Sequence, residues 1–522
     1  MPTIPLSQVA IHLRPNDNVA IANKVIPPGS ELDVHGQAIM VPARIGMGHK
    51  VAIKPIGAGE AILKYGQIIG FAKTDIGVGE HVHTHNVKAE AFSRDYAFCQ
   101  DVPPPQAPPA KSRTFMGYDR GPNKPDHLRY GTRNYIAIIS TVNCSAGTSK
   151  YVAERVRASG ILEKYPNVDG IVPIIHKQGC GMAYGGEDHQ QLDRTLAGFA
   201  RHPNVGAYIL IGLGCETGQA IHLIQNEGLE LIQLGMRKQP IVFSIQECGG
   251  IAKTVAAATQ AVIDLLPMVN NIQRVELPAK HLILGTNCGG SDGNSGVSAN
   301  PALGIASDLI IQQGGTSILG ETTEIYGAEH LLTRRAVSRE VGEKLIERIK
   351  WWEWYTSTFK AEINNNPSVG NKEGGLTTIF EKSLGAIAKS GSTAMVDVVR
   401  YAEPVTKKGF VVMDTPGYDP VSMTGIVAGG ANVLVFTTGR GSVFGCKPVP
   451  SIKVATNSPL YNHMIDDMDI NAGKVLEGAT LEAVGEEIFE EILAVASGKK
   501  TKSELNGVGE EEFAPWSIGP TL

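Results

Sequence analysis

The sequence predicts an α/β protein: Rossmann-like regions of parallel sheet make up the C-terminal part, behind a small all-β N-terminal domain. Three observations carry this. From residue 113 onward, apolar runs of strand length alternate with helical patterns. YIAIISTV (135–142), GIVPIIH (170–176), AYILIGLG (207–214) and PIVFSI (240–245) form one series. HLILG, TSILG, TAMVDVV, GFVVMD, NVLVFTT and SIKVAT form a second. Residues 1–97 have a different texture, with short alternating strands punctuated by PPGS, GMGHK, GAGE and GVGE. Between the two textures lies VPPPQAPPAKS, whose prolines favour an extended, semi-rigid spacer.

The expected domains are therefore an all-β module over 1–97, a linker over 98–112, and α/β regions over 113–275 and 276–522. Helices are expected over SKYVAERVRASGILEKY and over the long run 329–363, where Trp351, Trp352 and Trp354 read as packing anchors.

Composition excludes several classes. A net charge of −5 and 6% aromatic residues give neither the basic footprint nor the stacking platform of a nucleic-acid binder. The N-terminus has no charged segment followed by an apolar one, so no secretory signal is expected. No run of 18 apolar residues is present, so no membrane span is expected. Seven cysteines in such a chain point to a reducing, cytoplasmic setting, where thiols pack, bind metal or catalyse.

Five of the seven thiols fall where a predicted strand ends: Cys144, Cys180, Cys215, Cys248 and Cys288. Ligands of open parallel sheets bind outside those ends. The first three are spaced 36 and 35 residues apart, about one strand–helix unit each. KQGCG, GLGCE, ECGG and NCGG let backbone and thiol approach a ligand closely. Buried packing is the competing reading, since free cysteine is often an interior residue. As metal ligands, Cys144, Cys180, Cys215 and Cys288 would select iron, an iron–sulfur cluster or zinc. A mixed set drawing on His176, Asp292, Glu216 and Glu247 stays open. No CxxC pair is present, which disfavours a zinc ribbon or a thioredoxin-like site.

Other chemistry-bearing segments follow. His176 and Lys177 in IIHKQGCG stand at a strand end as candidate bases. His81, His83 and His85 alternate in HVHTHN and would share one face of a strand, with Asn86 following as a polyol contact. Asn371 and Lys372 in NPSVGNKEGG read as an anion-binding turn at a helix start. Thr438 and Arg440 in FTTGRG follow a strand, where arginine can clamp a carboxylate.

Taken together these stretches resemble the altronate/galactarate dehydratase family, nearly end to end. IGMGHK through HVHTHN is similar to the β-clip (SAF) domain attached to sugar-acid dehydratases. GTRN, HKQGCG, IGLGCE, CGGSDG with SGVSANP, NPSVGNKEGG, EKSLGAIAKSG, FTTGRG, IKVATNS and DMDINAG carry the rest. HVHTHN, PGYD and ATNS look more like altronate dehydratases, DMDINAG and VASGKK more like galactarate dehydratases. Lyases of sulfonated hydroxy acids share the architecture in two chains.

The resemblance implies a hydro-lyase that turns a sugar acid, altronate first and galactarate second, into a 2-keto-3-deoxy acid. It also implies ferrous iron (or Mn2+), with an iron–sulfur cluster left open. In this reading the four thiols are metal ligands and Asp292 adds an oxygen. His176 or Lys177 takes the α-proton. Arg440, Asn371, Lys372 and Thr438 hold substrate, and His83, His85 and Asn86 close over it. A homodimer is expected. The non-enzyme alternative is a sugar-acid sensor. A hydrolase is disfavoured by the lack of a GxSxG elbow, and a thiol redox enzyme by the lack of a low-pKa pair.

Overall fold

A computed structural model describes residues 3–34, 36–229 and 240–521. The glycine-rich turns of the N-terminal region separate short strands that form three small, mostly antiparallel sheets. One of these orders Ala10–Ile11, Val19–Ala22, Lys50–Ala52 and His81–Val82. Alternation along these strands serves two cores. Ala20, Ala22 and Val51 face the module's own interior with Leu32 and Ile45. Val19, Ala52, Ile62, Ile69 and Val82 instead share a core with Leu319, Leu332, Phe410 and Val412 of the C-terminal region. The module is thus packed onto the rest of the chain. The linker region is also tied down, through the Asp101–Arg334 ion pair and a Gln312 amide donated to the Ala107 carbonyl at 3.4 Å.

The second region forms a parallel four-stranded sheet ordered Gly170–Ile174, Tyr135–Ser140, Val205–Gly212 and Ile241–Ser244. All four expected strands are present. Helices Asn143–Ala158 and Ile251–Asn270 cover one face through Val152, Val156, Val262 and Leu266. The second of these is long and apolar enough, by composition, to cross a membrane, which a search for uninterrupted apolar runs misses. In this fold it lays one side on the sheet. Thr114–Asp119 pairs antiparallel with Arg274–Pro278, so the expected boundary at 275/276 falls inside a strand.

The C-terminal region forms a seven-stranded sheet with every pairing parallel. Its order is Met395–Val399, Gly409–Met413, Thr316–Leu319, Ile283–Cys288, Val433–Thr438, Ser451–Ala455 and Ile470–Asn471. The chain runs from Ile283–Cys288 first to one side and later to the other. The strand order therefore reverses at Cys288, and a crevice opens beyond the carboxyl ends there.

Candidate active site

Three successive strand ends meet in that crevice. Ile283–Cys288 is buried throughout and delivers the Cys288 thiol. Beyond Thr316–Leu319 come Glu321 and Glu324, and after Gly409–Met413 comes Asp419, at the start of helix Asp419–Ala428. Gly289 permits the approach of Asp419: a Cβ there would lie 2.2 Å from Asp419 Oδ2. Glu321 sits at φ 61°, a left-handed backbone that costs a side-chain-bearing residue about 1–3 kcal/mol. Its N–H donates to Thr415 Oγ1 at 2.6 Å, which helps hold that conformation.

Two lysines complete the group. Lys382, on helix Ile379–Ala386, donates to Glu324 Oε1 at 2.6 Å and to Asn366 Oδ1 at 2.8 Å. Lys389 donates to Cys288 Sγ and to Glu321 Oε2, both at 2.8 Å. Cys288, Glu324, Lys382 and Asp419 open onto a cleft of about 570 Å³.

The electrostatics follow from burial. Desolvation pushes the Asp419 carboxyl up to about 7, with Glu324 adding to the shift, while Lys382 and the Asn287 amide at 3.1 Å oppose it. Burial and Glu321 push the Cys288 thiol up to about 12, so it is neutral. Burial also shifts Glu321 upward. Glu324 holds Lys382 charged against desolvation, and the Glu321 carboxylate does the same for Lys389. The crevice therefore offers two fixed ammoniums and a carboxyl that exchanges its proton near neutrality. It can stabilise an oxyanion and move a proton.

The N-terminal module supplies a second constellation. Lys50 and Lys64 enter the C-terminal region fully buried and clamp Glu381 at 2.9 and 2.8 Å. Burial brings the Lys50 ammonium down to about 8. Burial works against ionisation of Glu381, but the two ammoniums outweigh it and hold the carboxyl below its usual range. Beside this clamp stand His49, His81 and His83, with ring centroids 5.0–5.2 Å apart. Burial lowers all three imidazoles, His81 to about 3 and His83 to about 4. His49 Nε2 reaches the Glu373 carbonyl at 3.0 Å. Glu373 ends helix Val369–Glu373, from which Asn371 lines the cleft, as does the Ser368 that caps it.

The four proposed thiol ligands are divided between two sheets. Cys144, Cys180 and Cys215 are exposed at the carboxyl edge of the four-stranded sheet, whereas Cys288 is buried in the other. The loops of the first three lie against one another: Asn143 N–H donates to Gln178 O at 2.9 Å and Gly218 N–H to Gly179 O at 3.2 Å. Among the described residues, two sets of three His, Cys, Asp or Glu donors lie within 4.8 Å of one another: His49–His81–His83 and Cys288–Glu321–Glu324. His176 is buried in the second region, its Nε2 at 2.9 Å from Ser140 O and its Nδ1 accepting from Gln178 N–H at 3.1 Å. Lys177 is exposed.

Asp292 braces the crevice wall. It accepts from Asn294, Ser295, Thr456 and Asn457, with both oxygens engaged. Asn86 spends its amide on its own turn, accepting from His83 N–H at 2.8 Å and donating to His81 O at 3.0 Å. His81 alone of HVHTHN's histidines is in a strand. His83 and His85 lie in the following turn, and His85 is exposed. Asn371 pairs with Ser368 in a capping box and donates to Ser291 O at 2.8 Å. Lys372 is half-buried beside it. Thr438 Oγ1 accepts from Gly441 N–H at 3.1 Å, and half-exposed Arg440 faces Glu373 at 3.3 Å.

Sequence reasoning missed Glu321, Glu324, Lys382, Lys389, Asp419 and His49. The available signals were GETTE and PGYD at strand ends, two lysines in EKSLGAIAKS, and the histidine of GMGHK.

Comparison with known proteins agrees with this architecture. The signature of the D-galactarate/altronate dehydratase C-terminal domain matches residues 279–521. That of the D-galactarate dehydratase/altronate hydrolase second domain matches 117–270, and that of the altronate/galactarate dehydratase SAF domain matches 8–90. The chain is 34% identical to altronate dehydratase of Bacillus subtilis (strain 168), over 98% of its own length and 99% of the relative's. It is 40% identical to galactarate dehydratase (L-threo-forming) of Escherichia coli (strain K12), over 93% and 90%. To altronate dehydratase of the same E. coli strain it is 34% identical, over 97% and 98%.

Proposed function

The chain belongs to the altronate/galactarate dehydratase family and is a sugar-acid dehydratase, a hydro-lyase, and on that premise we propose that it dehydrates altronate in the cleft beyond Cys288. The observation that carries the siting is the buried Lys382 ammonium and the near-neutral Asp419 carboxyl on that cleft, with the Lys389 ammonium behind Cys288. Dehydration removes the weakly acidic proton beside the carboxylate. It needs cationic groups where the enediolate charge develops and a base with a pKa near the working pH.

Lys382, and Lys389 behind it, supply the positive charge. Asp419, as carboxylate, takes the C2 proton. The C3–O bond then breaks, the hydroxyl leaves as water after taking up a proton, and the enol tautomerises to the 2-keto-3-deoxy acid. Both lysines are held protonated, so neither is the base.

A ferrous or manganous ion, when bound, would supply Lewis-acid stabilisation of the carboxylate and 2-hydroxyl. Cys288, Glu321 and Glu324 fit it poorly, because Lys389 and Lys382 already occupy the thiol and both carboxylates. No step is assigned through that trio.

Galactarate is the second reading. The 40% identity favours it, and Arg440, close to Gly290 at the cleft wall, offers a partner for a second carboxylate. The test is anaerobic turnover of both acids with ferrous iron, read as 2-keto-3-deoxy acid. Altronate turnover is expected, with a loss of about 10²–10⁴ in kcat for Asp419→Asn. Turnover of galactarate alone would overturn the substrate assignment. Full activity of the variant would remove Asp419 from the mechanism.

A further inference from the structure

We propose that His49, His81 and His83 form a binding site for one divalent transition-metal ion, carried by the N-terminal module at its contact with the C-terminal region. Their donor nitrogens lie within 4.8 Å of one another. His49 Nδ1 and His81 Nε2 are 2.9 Å apart. Metal–nitrogen bonds of about 2.0–2.1 Å place adjacent ligand atoms about 3 Å apart, so two of the three are already at ligand spacing.

The tautomer of His49 is set from outside. Its Nε2–H donates to the Glu373 carbonyl at 3.0 Å, leaving the Nδ1 lone pair facing the other two rings. A carbonyl on the far nitrogen is the usual outer support of a metal-ligating histidine. A purely hydrogen-bonded histidine cluster accounts less well for the geometry, because it leaves His83 Nδ1 buried with no partner among the described residues.

The backbone holds the set in place. His81 lies opposite Val51 across a strand pair, next to the buried Lys50, and Asn86 closes the turn that presents His83. Asn86 is therefore a positioning residue. Three imidazoles suit iron, zinc, cobalt or nickel and disfavour magnesium or calcium. Open positions would remain for oxygen ligands.

The experiment titrates cobalt(II) into the chelator-treated full chain, followed by visible absorption and equilibrium dialysis. One ion per chain is expected, with ligand-field bands and no thiolate charge-transfer band. His81→Ala and His83→Ala should each weaken binding at least about 100-fold, beyond the range for loss of an outer-shell partner. His83→Ala is the safer variant for folding, since the turn uses the His83 backbone N–H; unchanged metal-free circular dichroism confirms it. Cys288→Ser and Cys180→Ser should bind cobalt as the parent does. Unchanged affinity in both histidine variants, or a thiolate band abolished by either cysteine variant, would overturn the site. Tight histidine-dependent cobalt binding without turnover of either sugar acid would support the site and refute the substrate reading.

Discussion

Replacing Glu381 with Gln tests whether the N-terminal module is held by charge as well as by apolar packing. Glu381, Lys50 and Lys64 are at most 1% exposed, and the carboxylate also accepts from Thr377 N–H and Oγ1. Removing one partner of a buried ion pair costs about 3–5 kcal/mol. Two lysines lose their partner here, but the costs do not double. Lys50, already lowered to about 8, keeps the Gly375 carbonyl at 2.6 Å and can shed its proton. Lys64 keeps the Gly293 carbonyl at 3.4 Å and the Tyr65 ring, 4.7 Å from its Nζ, weaker partners than the carbonyl left to Lys50, and carries most of the loss. A total of about 3–5 kcal/mol corresponds to an increase of roughly 10²–10³ or more in the undocked fraction.

Global melting of a multidomain chain is a poor measure of this. Hydrogen exchange of peptides spanning 50–52 and 375–386 reads docking directly. The opening free energy there should fall by about 3–5 kcal/mol, and the triple replacement Lys50→Met, Lys64→Met, Glu381→Leu should recover most of it. Exchange within about 1 kcal/mol of the parent in Glu381→Gln would refute the reasoning.

Further outcomes follow from the same geometry. With the Asp419 carboxyl near 7 and its carboxylate acting as base, kcat/KM should fall about tenfold per pH unit below that value, and the break should vanish in Asp419→Asn. Iodoacetamide at pH 8, read by peptide mass spectrometry, should label exposed Cys144, Cys180 and Cys215 and spare buried Cys288, whose thiol lies at about 12. His176→Ala should lose about 1–3 kcal/mol of stability by stranding the Ser140 carbonyl and Gln178 N–H, while turnover at permissive temperature stays within a few-fold of the parent.

The strands were legible because each is an apolar run bounded by turn residues, and all ten expected α/β strands are present. The long helical run was legible only in outline. It breaks after Thr333, and Ser338 caps a new helix at Arg339 by accepting from Val341 N–H. The apolar period continues across that break, which hides it. Trp352 stacks on Trp516 as a packing anchor, whereas Trp354 is exposed.

At the site, Cys288 stood out because a thiol at a strand mouth is unusual. Its partner Lys389 lies 101 residues away, and the local sequence around each gives no sign of the pairing. Glu321, Glu324 and Asp419 look like ordinary polar turn residues until the sheet order brings three strand ends together. The histidine trio was half visible. HVHTHN drew notice, but His49 joins it only through the pairing of Val51 with His81.

That shared geometry bears on how substrate enters. The family resemblance implies that His83, His85 and Asn86 close over the substrate. The structure assigns the module a different part. Adjacent residues of helix Ile379–Ala386 face opposite tasks: Glu381 receives the two lysines of the module, and Lys382 holds Glu324 at the cleft. Gly293 packs so closely on the module that a Cβ there would lie 1.9 Å from the Gly48 carbonyl. Lifting the module would strand buried charge, open a shared apolar core and loosen the helix that carries Lys382. Entry at the rim of the cleft asks for none of this. Tyr418, at 67% exposure, and the 365–371 segment border that rim. The module is thus tied to the helix that carries Lys382, and it holds His49 against Glu373, at the end of the helix from which Asn371 lines the cleft.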